Sequence, residues 1–511
     1  MANNAHDEKL LGSDVPTLTR RALFGLAGMA VATAALPPAP AGAKIRRASP
    51  AVPARPADAV GSVMTTLSTY MSEAGGKALS EEVSEKSKQH VLDTFAAMIS
   101  GAELPPGKVA LGFAKEYGGK QQATVVASDT VCGTLEAAMI NGVLAHSDET
   151  DDSNGPSHSH PGCAVIPAAF AAGERFGISG SQFLRAVALG YDVGCRFTIV
   201  LGGQRYENES HFSTHSIATI FGAAAAAGCA ASLNAKQMRL MLGYAAQQCS
   251  GLTSWRRDSE HVQKAFVFGG MTARSGVTSA LVVHSGWTGV EDILSGTDNF
   301  FDAFNSHADP NGLVDKLGER YEISRTDIKK WTVGSPIQAV LDAMVILLER
   351  HHFNAEQVKS LAVHLAPPEA LTVNNREMPD ICVQHLAAVM LADKTVTFQS
   401  AHDQARMKDP TILRERAKVQ LVPDQALSKF LPTRASKVEI TLMDGTQLSE
   451  EVDAVRGTAK NPMSHDEVIA KVRDLIVPIQ GETKCTDLID KIVDIENLKD
   501  IRHLRTALQK T

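Results

Sequence analysis

The stretch from Asn141-Gly142 through Ala145-His146-Ser147-Asp148-Glu149-Thr150-Asp151-Asp152-Ser153 to His158-Ser159-His160-Pro161-Gly162 gathers carboxylates and imidazoles between two apolar, helix-like segments. Titratable groups at a helix end can have their pKa values moved toward neutrality by burial and by one another's charge, which is what proton transfer at pH 7 requires. Two other readings fit the same residues. A loop of this composition can be a solvated acidic surface, and His146, Asp152, His158 and His160 could supply nitrogen and oxygen ligands to a metal, although His-x-His alone is a weak signal.

The elements that must hold this stretch are mostly helices. Ser80 can cap a helix whose first turn carries Glu81 and Glu82, and Val91, Phe95 and Ile99 recur on one face before Gly101. Pro105-Pro106 opens a second helix that ends at Gly118-Gly119, Ser181 can cap residues 182–193, and Asn234 can cap residues 235–248. Residues 123–127 are a short strand candidate, and the Ala-rich stretch 222–231 suits close helix packing. After about residue 325 the texture changes. Residues 358–365 and 437–442 alternate like strands, with an Asp444-Gly445 turn, and helical character returns behind Ser464, Asp466 and Glu467. The expected fold is mainly α with a smaller α+β domain. A helical domain spans 62–325, an α/β lid 326–455, and residues 456–511 return as helices to the first domain.

The 511 residues, 44% hydrophobic and 21% charged, can bury a large core. A formal charge of −7 and only 5% aromatic residues argue against nucleic-acid binding. Thr19-Arg20-Arg21, an apolar run over residues 22–36 and Ala41-Gly42-Ala43 have the order of a twin-arginine export signal, followed by a Pro/Ala-rich linker over 44–61. Export to the periplasm follows, with no stable membrane insertion once the signal is cleaved. The seven cysteines form no C-x-x-C pair and read as buried thiols rather than as a disulfide or zinc framework.

With Asn141-Gly142, Ala145-His146, Asp151-Asp152, His160-Pro161 and Pro167-Ala168 in this order, the sequence resembles the MmgE/PrpD family. The likeness continues through residues 221–225, 264–276, Asp342-Ala343 and Asn461-Pro462, and covers nearly everything after residue 62. It implies a large helical domain, a smaller α/β lid, a homodimer, an active site between the domains, and chemistry at carbon next to carboxylate without metal or organic cofactor.

The resemblance also implies roles. Asp152, His158 and His160 fall where the family has acidic and imidazole site residues, with His160 the proton donor or acceptor. Ser153 stands at a position often Thr, Glu149 at the leading acidic position, and Lys264 at that of a lysine that contacts substrate carboxylate. Where many relatives carry Phe-His-Pro-Thr, this chain has His211-Phe212-Ser213-Thr214-His215, so the expected imidazole aligns with Ser213, and either flanking histidine, His211 or His215, can substitute by a local shift. Gly334 and Gln338 stand where relatives tend to carry cysteine and histidine. Arg256 and Arg257 present guanidinium forks suited to carboxylates, or else form a surface ion-pair patch with Asp258 and Glu260. The leading expectation is a cofactor-independent dehydratase-like lyase acting on a small di- or tricarboxylate. An epimerase or decarboxylase of the same family, a carboxylate-binding protein and a metal-dependent enzyme are the alternatives.

Overall fold

The structure is a computed structural model that describes residues 59–510; the expected export signal and all but the last residues of the linker lie outside the described residues. Helices dominate, with two small sheets. Ser80 accepts from the Val83 N–H to start the helix Glu81–Gly101, and prolines open Pro105–Tyr117. Asn234 and Gln237 form a capping box on Ala235–Gln247. The helix expected behind Ser181 begins two residues earlier: Ser179 caps Gly180–Leu201 through the Gln182 N–H. The strand expected over residues 123–127 is only Ala123–Thr124, paired with Val131–Cys132.

Two apolar cores are built from these elements. The larger one gathers side chains from Met64 to Ile328 together with Met463 to Leu508, so the chain's last helices complete the first core. At its centre runs Thr214–Ala230, whose residues are all buried. Glycine is required around it: a Cβ on Gly194 would lie 2.4 Å from the Ala218 carbonyl oxygen. The segment Val262–His284 is long and apolar enough to cross a membrane, yet most of its hydrophobic stretch is buried in this core.

The second core, from Trp331 to Val455, packs the helices Gln338–His351 and Val383–Asp393 on a four-stranded sheet. Val358–Leu365 pairs in parallel with Val419–Pro423 on one side and antiparallel with Ser436–Leu442 on the other, and Gln447–Val452 forms the far edge. The helix His465–Gln480, capped by Ser464 and Glu467, then returns to lie along Glu81–Gly101. Lys471 from that helix reaches Asp93 at 2.6 Å and donates to the Thr150 carbonyl at 3.0 Å, tying the chain's end to the acidic stretch.

Candidate active site

The motif glycines and amides prove to be positioning devices. Asn141 accepts from the Val126 N–H and donates to the Thr124 carbonyl, which fixes the helix Thr134–Ala145 against the small hairpin. Gly142 meets Gly269 backbone to backbone, where a Cβ would fall 2.3 Å from the Gly269 oxygen. The helix ends at His146, and the chain runs through the acidic stretch into a tight loop. There Asn154 and Ser159 pair, and Asn154 also accepts from the Ser157 N–H. Backbone bonds between Ser153 and Asp327, at 2.8 and 3.0 Å, attach this loop to the entry of the second core.

The neighbouring acids point into different surroundings. Asp152 is fully buried and outside the cleft lining: its carboxylate accepts from Tyr191 Oη at 2.5 Å and the Gly162 N–H at 3.0 Å, and lies 2.9 Å from His90 Nδ1. Gly162 leaves the room for this cage, since a Cβ there would approach Tyr191 Oη to 2.6 Å. Asp151 faces the imidazoles instead, 2.9 Å from His146 Nδ1 and 3.4 Å from His160 Nδ1, with Lys329 Nζ at 3.7 Å. Burial opposes its charge, but His146 and His160 outweigh it and hold the carboxyl well below the carboxylate range.

His160 is held more tightly by the backbone. Its Nδ1 lies 2.6 Å from the Asp152 carbonyl, which can only accept, so Nδ1 carries a hydrogen and Nε2 is the ring nitrogen left for the cleft. His215, on the first turn of Thr214–Ala230, stacks on Phe268 at 4.1 Å and on His160 at 5.3 Å. Burial lowers its pKa to about 3 against the opposing pull of Glu207, so it is neutral at pH 7. His158 adopts a left-handed backbone, φ 50°, and its ring lies 4.9 Å from that of His215.

A cleft of about 420 Å³ opens between the two cores, lined by His158, His160 and His215 on one wall and by residues of 325–338 and 432–460 on the other. Cations crowd it, and nearly all are already paired. Arg325 bonds Glu322, Lys329 donates to the Glu149 carbonyl, Arg434 bonds Glu369 and Arg456 bonds Glu467. Lys460 also lines it and, among the described residues, has no carboxylate partner. Asp327 contributes a carboxyl raised to about 6 by burial.

The expected site residues therefore divide. Ser153, His158, His160, His215 and Gln338 line the cleft. Gln338 is fully engaged, however: its amide accepts from the Trp331 N–H and donates to the Trp331 and Val333 carbonyls, locking the turn before its helix. Glu149 and Lys264 pair with each other, and burial notwithstanding, Lys264 and Lys329 keep the Glu149 carboxyl well below its usual range. Arg256 bonds Glu207 at 2.6 Å. Arg257 is exposed and outside the cleft. His211 ends the helix Gly203–Ser210 in a left-handed conformation with its ring exposed, so His215 is the imidazole that reaches the cleft.

The sequence pattern does not single out Asp151 as the His160 partner, nor Glu207, Lys329, Arg434 or Lys460. The ligand set His146, Asp152, His158 and His160 is not assembled, because Asp152 faces the core. Three other groups, His146-Glu149-His261, His146-Asp151-Cys163 and His158-Glu207-His215, bring potential ligand atoms within 4.8 Å of one another. In each the carboxylate already serves a lysine, an arginine or an imidazole.

Comparison with known proteins agrees with this architecture. The MmgE/PrpD N-terminal domain matches residues 65–312 and the MmgE/PrpD C-terminal domain residues 331–495. The chain is 24% identical to human cis-aconitate decarboxylase over 450 residues, 84% of this chain and 91% of the relative. It is likewise 24% identical to cis-aconitate decarboxylase of Aspergillus terreus over 462 residues, 84% and 92% of the two. The mouse enzyme of that name is 24% identical over 445 residues, 83% and 88%. With both family domains in order along nearly the whole described chain, the protein belongs to the MmgE/PrpD family.

Proposed function

We propose that the protein is a lyase acting on a small di- or tricarboxylate, with His160 moving a proton at the carbon next to a carboxylate and no cofactor taking part. The observation that carries this reading is the His160 imidazole, whose Nδ1 is tied to the Asp152 carbonyl at 2.6 Å while its ring lines a cleft crowded with cations. A free Nε2 beside groups that neutralise carboxylates is what carbon-acid chemistry needs.

Dehydration is the leading reaction. His160 Nε2 takes the α proton, the C–H electron pair becomes the new double bond, and the C–O bond on the neighbouring carbon breaks. The proton departs with the hydroxyl as water, so no co-reactant is consumed. Lys460, the cleft cation without a carboxylate, anchors the substrate. Decarboxylation is the second reading, favoured by the names of the relatives. There a C–C bond breaks, carbon dioxide leaves, and protonated His160 quenches the carbanion. The proposal extends to export by the twin-arginine pathway, on the strength of Arg20-Arg21 and the apolar run behind them, and to a homodimer, as the family resemblance implies.

Proton NMR in D₂O with citrate, 2-methylcitrate, malate, cis-aconitate and itaconate tests the reading. Deuterium entering next to a carboxylate, or loss of water or carbon dioxide, is the expected result. Silence across the panel from folded protein would leave a carboxylate-binding protein instead.

A further inference from the structure

Glu207 lies on the helix Gly203–Ser210, among residues that carry no chemical motif, and its carboxylate is completely buried. One oxygen accepts from Arg256 Nη2 at 2.6 Å and lies 3.4 Å from His158 Nε2. The other accepts from the N–H and the hydroxyl of Thr214, both at 3.0 Å, and faces His215 Nδ1 at 3.2 Å. The Thr214 hydroxyl also lies 2.8 Å from the His158 carbonyl, so its one hydrogen is shared between that carbonyl and Glu207. One carboxylate thus contacts the imidazoles of both His158 and His215.

The consequence is a fixed polarity. An ionised carboxylate can only accept, so Nδ1 of His215 carries the hydrogen and Nε2 bears the lone pair. The other groups around this ring do not change that assignment: His158 and His160 lie 4.9 and 5.3 Å away, while Lys264 and Arg256 sit over the Trp255 ring that packs on its edge. His160 likewise commits Nδ1 to an acceptor and presents Nε2 to the cleft. The wall of the cleft therefore offers two Nε2 nitrogens on stacked rings.

We propose that Glu207 is a positioning residue that turns an acceptor nitrogen of His215 toward the substrate, and that the feature read there is a hydroxyl group. A carboxylate or an olefinic carbon has no hydrogen to give such a nitrogen, whereas the hydroxyl of a hydroxycarboxylate does. The inference rests on the lyase reading and selects within it: a hydroxylated carboxylate, with His160 taking the acidic C–H proton and returning it to the departing hydroxyl, while His215 accepts a hydrogen bond from that hydroxyl and so orients it.

The test uses the mature protein and two ligands that differ only by a hydroxyl, citrate and propane-1,2,3-tricarboxylate. Nitrogen-15 NMR should show His215 as the Nδ1–H tautomer, and calorimetry should show citrate binding at least about tenfold tighter, the worth of one well-placed polar contact. In Glu207→Gln the amide sets an N–H against either Arg256 or the Thr214 N–H. The clamp then opens, and the preference should fall to about twofold or less. A wild-type His215 found as the Nε2–H tautomer, or a preference that is absent from the wild type or survives in Glu207→Gln, would overturn the inference. If Glu207→Gln does not fold, the wild-type tautomer and preference decide alone. Failure of the lyase reading looks different: hydroxyl preference intact, with no deuterium entering any substrate.

Discussion

His160 and His215 lie ring on ring, 5.3 Å apart and 20° from parallel, and the Nδ1 of each is committed to a different acceptor, the Asp152 carbonyl and the Glu207 carboxylate. The two come from distant stretches of chain, one from the loop before Gly162–Phe176 and one from the first turn of Thr214–Ala230. Phe268 packs against both rings, so the pair is held by apolar contact on one side and by hydrogen bonds at Nδ1. This leaves the two Nε2 atoms outside those ties, on rings that line the cleft.

His160→Gln should lower kcat by about 10²–10⁴-fold, the usual worth of a general acid or base, with the melting temperature nearly unchanged. Its amide can still donate to the Asp152 carbonyl but cannot exchange a proton at neutral pH. Steady-state kinetics on the substrate found by NMR, paired with a thermal melt, checks both halves. Full activity in the variant would remove His160 from the mechanism.

Asp152 should behave as a structural residue. Its carboxylate gathers His90, Tyr191 and the Gly162 N–H in a closed, buried cage, so Asp152→Ala strands three polar groups in the core. Breaking one side of such a buried arrangement costs about 3–5 kcal/mol. Urea unfolding measures it, and a loss below about 1 kcal/mol would contradict the cage.

The family and the fold class were legible because they rest on local signals: caps at Ser80, Asn234 and Ser464, alternation over Val358–Leu365, and motif order around residues 141–168. The site was legible in place but not in detail. Spacing could not tell whether Asp151 or Asp152 faced His160, because neighbours in one chain segment enter different surroundings. Nor could it separate His211 from His215, four residues apart, until the left-handed turn at His211 set one outside and the helix set the other inside. Glu207 gave no signal at all, since its importance arises from contacts made across the fold by His158, His215 and Arg256. The strand Val419–Pro423 was missed for a related reason: it pairs in parallel with a distant partner, which no local turn announces.

A pH-sensitive tie joins the second core to the acidic stretch. His402 Nε2 lies 2.8 Å from Asp148 Oδ2 and Nδ1 meets the Phe398 carbonyl at 2.8 Å, so both nitrogens face acceptors. Burial disfavours the imidazolium, but Asp148 overcomes it and raises the pKa to about 9. A raised folded-state pKa contributes stability that is fully present below the unfolded value of about 6.5 and is lost as pH rises through about 9. Over that window the fold should lose about 3 kcal/mol from this group. His402→Gln should flatten the decline between pH 6.5 and 9 in denaturant titrations; an unchanged slope would show that the pair does not titrate as described.

Lys460 should govern substrate affinity more than turnover. Its loop is fixed: Gly457 and Asn461 bond through their backbones, Arg456 donates to the Asn461 side chain, and the Ala459 N–H reaches Asp327. The ammonium is therefore carried on a rigid rim, while Arg325, Arg434 and Arg456 are each neutralised by a glutamate. An incoming carboxylate can pair with Lys460 without breaking an existing ion pair. Lys460→Ala should raise KM about fivefold at low salt with kcat nearly unchanged, and the difference should shrink at 0.5 M salt, as it does for an exposed charge pair. A fall in kcat at constant KM would instead make Lys460 part of the transition-state machinery, and the anchoring charge would then have to come from one of the arginines that the glutamates now hold.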